Sequence, residues 1–285
     1  MHPIGAMADD SDLHLPRPFY DEWSSGLRPA AHALWAWHTA LANPQPVEPV
    51  GTNGTADALD AFFKDERDRA EGGEPLRLLR EEVCRSAYEA CAKHDLDRSL
   101  LGAQVEAARA LYGPTRFETE GVLKQFVGLW AVPHGRLLAG LAGIDLSVRL
   151  RYVDELARGF FHLGRLITLP RDLQEDRLFI PVENLRQRNV PLDQLRAGTV
   201  DEAVQGLLWK ESVRVRDALA QGRPLIVSLS LRRRFALKRF WVGALELLNE
   251  LERRDYDLWT EPLTLSFFRR VQVYLQMLLG RSVSR

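Results

Sequence analysis

The chain has 285 residues, 46% of them hydrophobic and 27% charged, which excludes a disordered, collagen-like or fibrous protein. Lys plus Arg number 38 and Asp plus Glu 39, a formal net charge of −1. A balance that even sets up no global field to draw in nucleic acid, and none is expected as a partner.

Residues 1–16 are polar, acidic and Pro-containing. They read as neither signal nor transit peptide and are expected to be mobile, ahead of one helical domain over 17–285. Residues 29–43 place Ala33, Trp37 and Leu41 on one face at helical spacing. The Pro- and Gly-rich stretch NPQPVEPVGTNG then predicts a loop, and Thr55 and Asp57 suit the cap of a helix ending at Gly72-Gly73. Pro75 suits the first turn of a helix running to Lys93. Cys84 and Cys91 lie on that helix, where the rise sets them ~10 Å apart, so they cannot bond to each other. A reducing compartment, the cytoplasm, is expected.

Further helices are predicted over 97–111 and over 118–141, the latter apolar nearly all round and therefore central. Asp145 suits the cap of a long segment to Asp176, kinked at Pro170. Two short helices follow in IPVENLRQRNVPLDQLRAG. Thr199 suits the cap of a helix ending at Gly222, and LIVSLS is the lone stretch with strand-like alternation. Amphipathic helices over 228–255 and 262–279 close the chain. The prediction is an all-α, single-domain bundle of about nine to eleven helices around a central cavity. No run approaches the ~20 apolar residues of a membrane span.

The densest polar cluster is RDLQEDR, residues 171–177. Asp172 and Asp176 are four apart, so on a continuous helix they project from one face. Carboxylates so placed hold Mg²⁺ while phosphate oxygens fill its other positions, or they simply decorate a solvated face. Arg165, His162, Leu169 and, close by, Thr168 extend that stripe backwards on a segment otherwise apolar. His162 by itself better suits a core or surface histidine bonded to backbone.

The run GRLITLPRDLQEDRLFIPVENLRQRNV resembles the second aspartate-rich signature of the squalene/phytoene synthases, approximately QLTNxxRDxxED followed by YLP, an acid and a Leu. RDLQED matches it, Phe179-Ile180-Pro181 stands for YLP, and Glu183 and Leu185 follow in register. ALWAWHTALAN, ALDAFFKDERDRAEGGEP and TRFETEGVLKQFVGLWAVPHGRLLAGLAG resemble other segments of the family in the right order. The resemblance implies an isoprenoid synthase fold. It implies a prenyltransferase that joins two isoprenyl diphosphates, such as farnesyl or geranylgeranyl diphosphate, using Mg²⁺ on Asp172 and Asp176. Arg171, Arg177, Arg165, Thr168 and His162 would then meet the substrate, with Trp35, Trp37, Phe62, Phe63, Phe126, Trp130 and Phe160 as pocket walls or plain core. Use of NADPH is left open.

The departures from the family pattern are as informative. The first acidic motif falls at Ala42-Asn43, where there is no carboxylate, with Asp57, Asp60 and Glu66 as candidate substitutes or cap and surface residues. The Gln and Asn of QLTN become Arg165 and Thr168, so Arg165 either contacts phosphate or takes the metal's place on Asp172. The alternative implied is a catalytically impaired relative acting in lipid binding or complex assembly. The basic run LRRRFALKRF suits either a solvated face or a peripheral contact with the inner face of an anionic membrane.

Overall fold

The structure, a computed structural model, describes residues 17–43 and 56–265. The expectations for residues 1–16, for Thr55 and for most of the closing helix over 262–279 lie outside them; residues 262–265 are irregular. Among the described residues there are twelve α-helices and no strand. They are α1 (Arg17–Asp21), α2 (Arg28–Ala42), α3 (Ala56–Gly72), α4 (Glu81–Lys93), α5 (Ser99–Ala108), α6 (Glu120–Leu141), α7 (Ser147–Ile167), α8 (Leu169–Gln174), α9 (Val182–Gln187), α10 (Leu192–Arg196), α11 (Glu202–Ser228) and α12 (Leu231–Arg253). The count exceeds the sequence expectation because α1 was not anticipated and the long segment after Asp145 breaks into α7 and α8.

Several boundaries move for identifiable reasons. Helix α4 starts at Glu81, not at Pro75. Residues 74–80 stay irregular because Glu66 captures their backbone: its carboxylate accepts from the amides of Arg77 (2.8 Å) and Leu78 (3.2 Å) and from Nε of Arg77 (2.7 Å). Glu66 is therefore a fully buried structural acid, not a surface residue or metal ligand. Asp60 pairs with Arg109. Asp145 does not cap α7, whose N-cap is Leu146, and Asp201 rather than Thr199 caps α11 by accepting from the Val204 amide at 2.9 Å. Helix α11 runs past Gly222 and through Pro224, so LIVSLS is its last turn and the link to α12.

Two apolar cores fill the bundle. Trp37 and Trp130 centre the one built by α1 to α6, and Leu163, Leu207 and Leu248 centre the one built by α7 to α12. Helices α6 and α7 join them. The most extensive helix pairing is α7 on α11, and two glycines allow it. A Cβ on Gly222 would lie 2.5 Å from Leu156 Cγ and 3.0 Å from its backbone nitrogen, and one on Gly159 would lie 3.0 Å from Leu219. Such spacing brings the two backbones closer than any side chain permits.

Replacing Glu66 with Ala leaves two buried amides and a guanidinium without their acceptor. It is expected to lower unfolding free energy by about 2–4 kcal/mol, with Glu66→Gln losing less, as measured by urea denaturation.

Candidate functional site

The acid-bearing segment does not form one helical face. Helix α7 ends at Thr168, and α8 restarts with Pro170 at its first turn, where the missing amide costs nothing. The anticipated kink is thus a full break. Helix α8 stops at Gln174, and Asp176 adopts φ +57, a left-handed conformation that Asp tolerates. Its carboxylate is held by Arg196 (2.6 Å) and by Arg116, whose guanidinium also donates to the Asp176 carbonyl. The expectation that Asp172 and Asp176 sit on one continuous helical face is corrected by this turn: Asp172 is in α8 and Asp176 lies beyond its end.

Asp172 is 1% exposed and Arg165 5%. One guanidinium nitrogen of Arg165 lies 2.9 and 3.1 Å from the two Asp172 oxygens. The Thr168 hydroxyl, 2.8 Å from Asp172 Oδ2 and 2.9 Å from the Gly164 carbonyl, shares its proton between them. Burial pushes the Asp172 carboxyl above the usual carboxylate range, with Arg165 and Thr168 offsetting part of the rise. Of the two roles open to Arg165, pairing with Asp172 is the one observed.

The remaining predicted residues are partly engaged with one another. Arg171 and Arg177 both approach Glu175, at 3.8 and 3.3 Å. Burial, with repulsion from Arg214 and Arg158, pushes His162 down to about 3, so it stays neutral and offers no charge to a phosphate. The space beside His162 and Arg165 is about 10 Å³, enough for one water at most. Phe179 also lines it, its ring 5.2 Å from the Arg165 guanidinium, and joins Phe117, Phe126 and Phe161 in an aromatic cluster.

Mg²⁺ needs accessible oxygen ligands in near-octahedral array. Here the Asp172 oxygens are taken and enclosed, and Asp176 serves two arginines elsewhere. Among the described residues no group of three or more His, Cys, Asp or Glu side chains stands ready to hold a metal ion. The donor set does not fit the ion.

A hollow does exist, in a different place. A cavity of about 370 Å³ lies between α1, α2, α6, α7, the end of α11 and the start of α12, within the size range of ligand sites. Its lining is mostly apolar, including Phe19, Leu138, Leu156, Phe160 and Leu237. Of the aromatic walls expected from sequence, Phe160 alone lines it; Trp37, Phe62, Phe63, Phe126 and Trp130 are buried core. None of Arg165, Asp172 and Asp176 borders it.

Sequence reasoning missed the polar inset in this wall. His38 and His134 stack with ring centroids 4.2 Å apart. The Gln104 amide donates to Leu100 O at 3.3 Å, which leaves its oxygen to accept the Nδ1 proton of His38 at 2.6 Å. The Tyr20 hydroxyl hydrogen-bonds His134 Nε2 at 2.5 Å, and burial pushes its pKa well above the usual phenol value. The available signal was a histidine on an otherwise apolar stripe in ALWAWHTALAN and another beside Pro133.

A sequence model of squalene/phytoene synthases matches residues 21–276. The chain belongs to that family. A phytoene synthase of Thermus thermophilus is 26% identical over 225 residues, covering 75% of each chain. The squalene synthase HpnC of Alicyclobacillus acidocaldarius superposes with a TM-score of 0.67 at 23% identity, over 84% of this chain and 88% of its own. A dehydrosqualene synthase solved with a ligand gives 0.70 at 13% identity, over 92% and 90%. These structures share the fold, and the all-α architecture is that of the squalene/phytoene synthases. The family's head-to-head prenyltransferase character sets the frame in which the Arg165–Asp172 pair departs.

Arg165→Leu strands a buried carboxylate and is expected to cost about 3–5 kcal/mol at neutral pH, while Arg165→Leu with Asp172→Leu recovers most of it. Asp172 has its folded pKa raised, so its contribution to stability falls as pH rises from the unfolded carboxylate value through the folded one. Without Arg165 that rise grows. The single variant is therefore expected to lose less stability under acid than at neutral pH, as measured by denaturant midpoints across pH.

Proposed function

We propose that this squalene/phytoene synthase-family protein holds an isoprenoid tail in the hollow beside α7 and does so without a Mg²⁺ clamp. The Arg165–Asp172 ion pair carries the reading. A tethered guanidinium occupies the carboxylate that would bind metal, and freeing it costs about 3–5 kcal/mol before any ligand is gained. The opposite motif position, Ala42-Asn43, adds no carboxylate to offset that cost. What remains is a shaped apolar volume, which favours a long hydrocarbon by removing its surface from water at ~25 cal/mol per Å². On this reading the protein is a lipid-binding relative of the synthases.

Catalysis is the second reading, favoured by the register of RDLQED and by the phytoene synthase relative. It would condense two farnesyl or geranylgeranyl diphosphates with loss of diphosphate, and it requires Arg165 to release Asp172 first. Arg171 and Arg177, with guanidinium forks that match phosphate oxygens, are the side chains nearest in sequence to receive the leaving group.

One experiment separates the two. The chain is mixed with farnesyl or geranylgeranyl diphosphate, with and without Mg²⁺, and both tail binding and diphosphate release are followed. Saturable binding that ignores Mg²⁺, with release no greater than in Asp172→Ala, is the expected result. Mg²⁺-dependent release that Asp172→Ala abolishes would establish catalysis instead. Ala139 lines the hollow, so Ala139→Phe is expected to weaken binding about tenfold or more, equivalent to ~1.4 kcal/mol, while the protein stays folded.

A further inference from the structure

We propose that the elbow between α11 and α12, together with the turn after α6, is a docking face for an anionic lipid bilayer and opens the hollow towards it. Six large hydrophobic side chains stand exposed among the described residues, and three of them lie on these two segments, Val227 (62%), Leu231 (81%) and Leu146, with Val148 next to them in the first turn of α7. Single exposed hydrophobics need no explanation, but their recurrence on and beside two segments that line one hollow does.

The same two segments line the hollow. Leu229, Ser230, Arg233 and Leu237 reach it from the elbow, and Ala142 and Ile144 reach it from the turn. Arg233 ties them together by donating to the Ala142 carbonyl. Arg234 folds back to donate to the carbonyls of Val227 (2.7 Å) and Leu229 (3.1 Å), closing the end of α11 and bracing the apolar tip. The guanidiniums that shape the elbow thus also set positive charge at its edge.

Charge selects the occupant. Residues 221–240 carry six Lys and Arg and no Asp or Glu. Arg239 is paired with Glu22 of the segment after α1, which leaves Arg223, Arg233, Arg234 and Lys238 as the described basic side chains beside the tip. An apolar tip inside a basic collar is complementary to a bilayer with anionic headgroups: the tip enters the acyl boundary and the collar stays among the phosphates. No described helix is long and apolar enough to cross a membrane, so the contact is peripheral. The entry role rests on the isoprenoid reading of the hollow, because such a ligand resides in lipid; the docking itself does not.

The test uses the full chain and sedimentation with vesicles of phosphatidylcholine, with or without phosphatidylglycerol. Binding to the phosphatidylglycerol vesicles is expected, weaker binding to phosphatidylcholine alone, and loss with added salt. Leu231→Asp is expected to reduce vesicle affinity about tenfold or more. Arg223→Glu with Lys238→Glu is expected to remove the preference for phosphatidylglycerol. Leu231 does not line the hollow, so Leu231→Asp should bind farnesol in solution as the parent does. No sedimentation with either vesicle, or a Leu231→Asp variant that sediments like the parent, would overturn the docking face and leave the patch to a protein or to another part of the chain. Loss of farnesol binding with vesicle binding intact would overturn the hollow's reading and not this one.

Discussion

The buried pairing of Arg165 with Asp172 governs how the rest of the molecule is understood. A carboxylate and a guanidinium taken out of water each lose solvation that only close contact restores. Thr168 completes the arrangement by ending α7 and bonding Asp172 at the same time, so the break between α7 and α8 and the ion pair are one feature. Arg165 also lies over Phe179, which ties the pair into the aromatic cluster of Phe117, Phe126 and Phe161. Of the two acids of the family signature, Asp172 is packed here as protein interior, while Asp176 stays half-exposed between Arg116 and Arg196.

Helix α7 carries both halves of the story. Val153, Leu156, Phe160 and Phe161 border the hollow, while His162 and, one turn beyond Phe161, Arg165 border a space the size of a water. The hollow and Arg165, which pairs with Asp172, thus occupy different stretches of the same rod. Charge returns to the hollow at its other end, through Arg233 and Glu22.

Much of this was legible in the sequence where local rules and global packing agree. Helical periodicity located α2, α6 and α12, and RDLQED with its downstream Phe-Ile-Pro identified the family that residues 21–276 match. Pro75 was read as a helix start, but a distant buried acid, Glu66, takes the amides that the helix would have used. Four-residue spacing put Asp172 and Asp176 on one face, but Arg116 and Arg196 lie 60 and 20 residues away and hold Asp176 beyond the end of α8. Gly222 was read as the end of α11, but the helix continues through it and Pro224 to Ser228 and takes in most of LIVSLS. The first two misses are long-range polar contacts, which periodicity does not encode.

The hydrogen bond between Tyr20 and His134 has a consequence for how the hollow keeps its shape. Helix α1 has five residues, far too few to persist unaided. It is kept in place by what its side chains touch: Tyr20, fully buried against the histidine, and Phe19, edge-on to Phe240 at 5.1 Å and facing the void. The stopper and the vessel are therefore linked by mass action. Whatever molecule settles against Phe19 adds to the forces ordering α1, and anything that unseats α1 removes one wall from its own container.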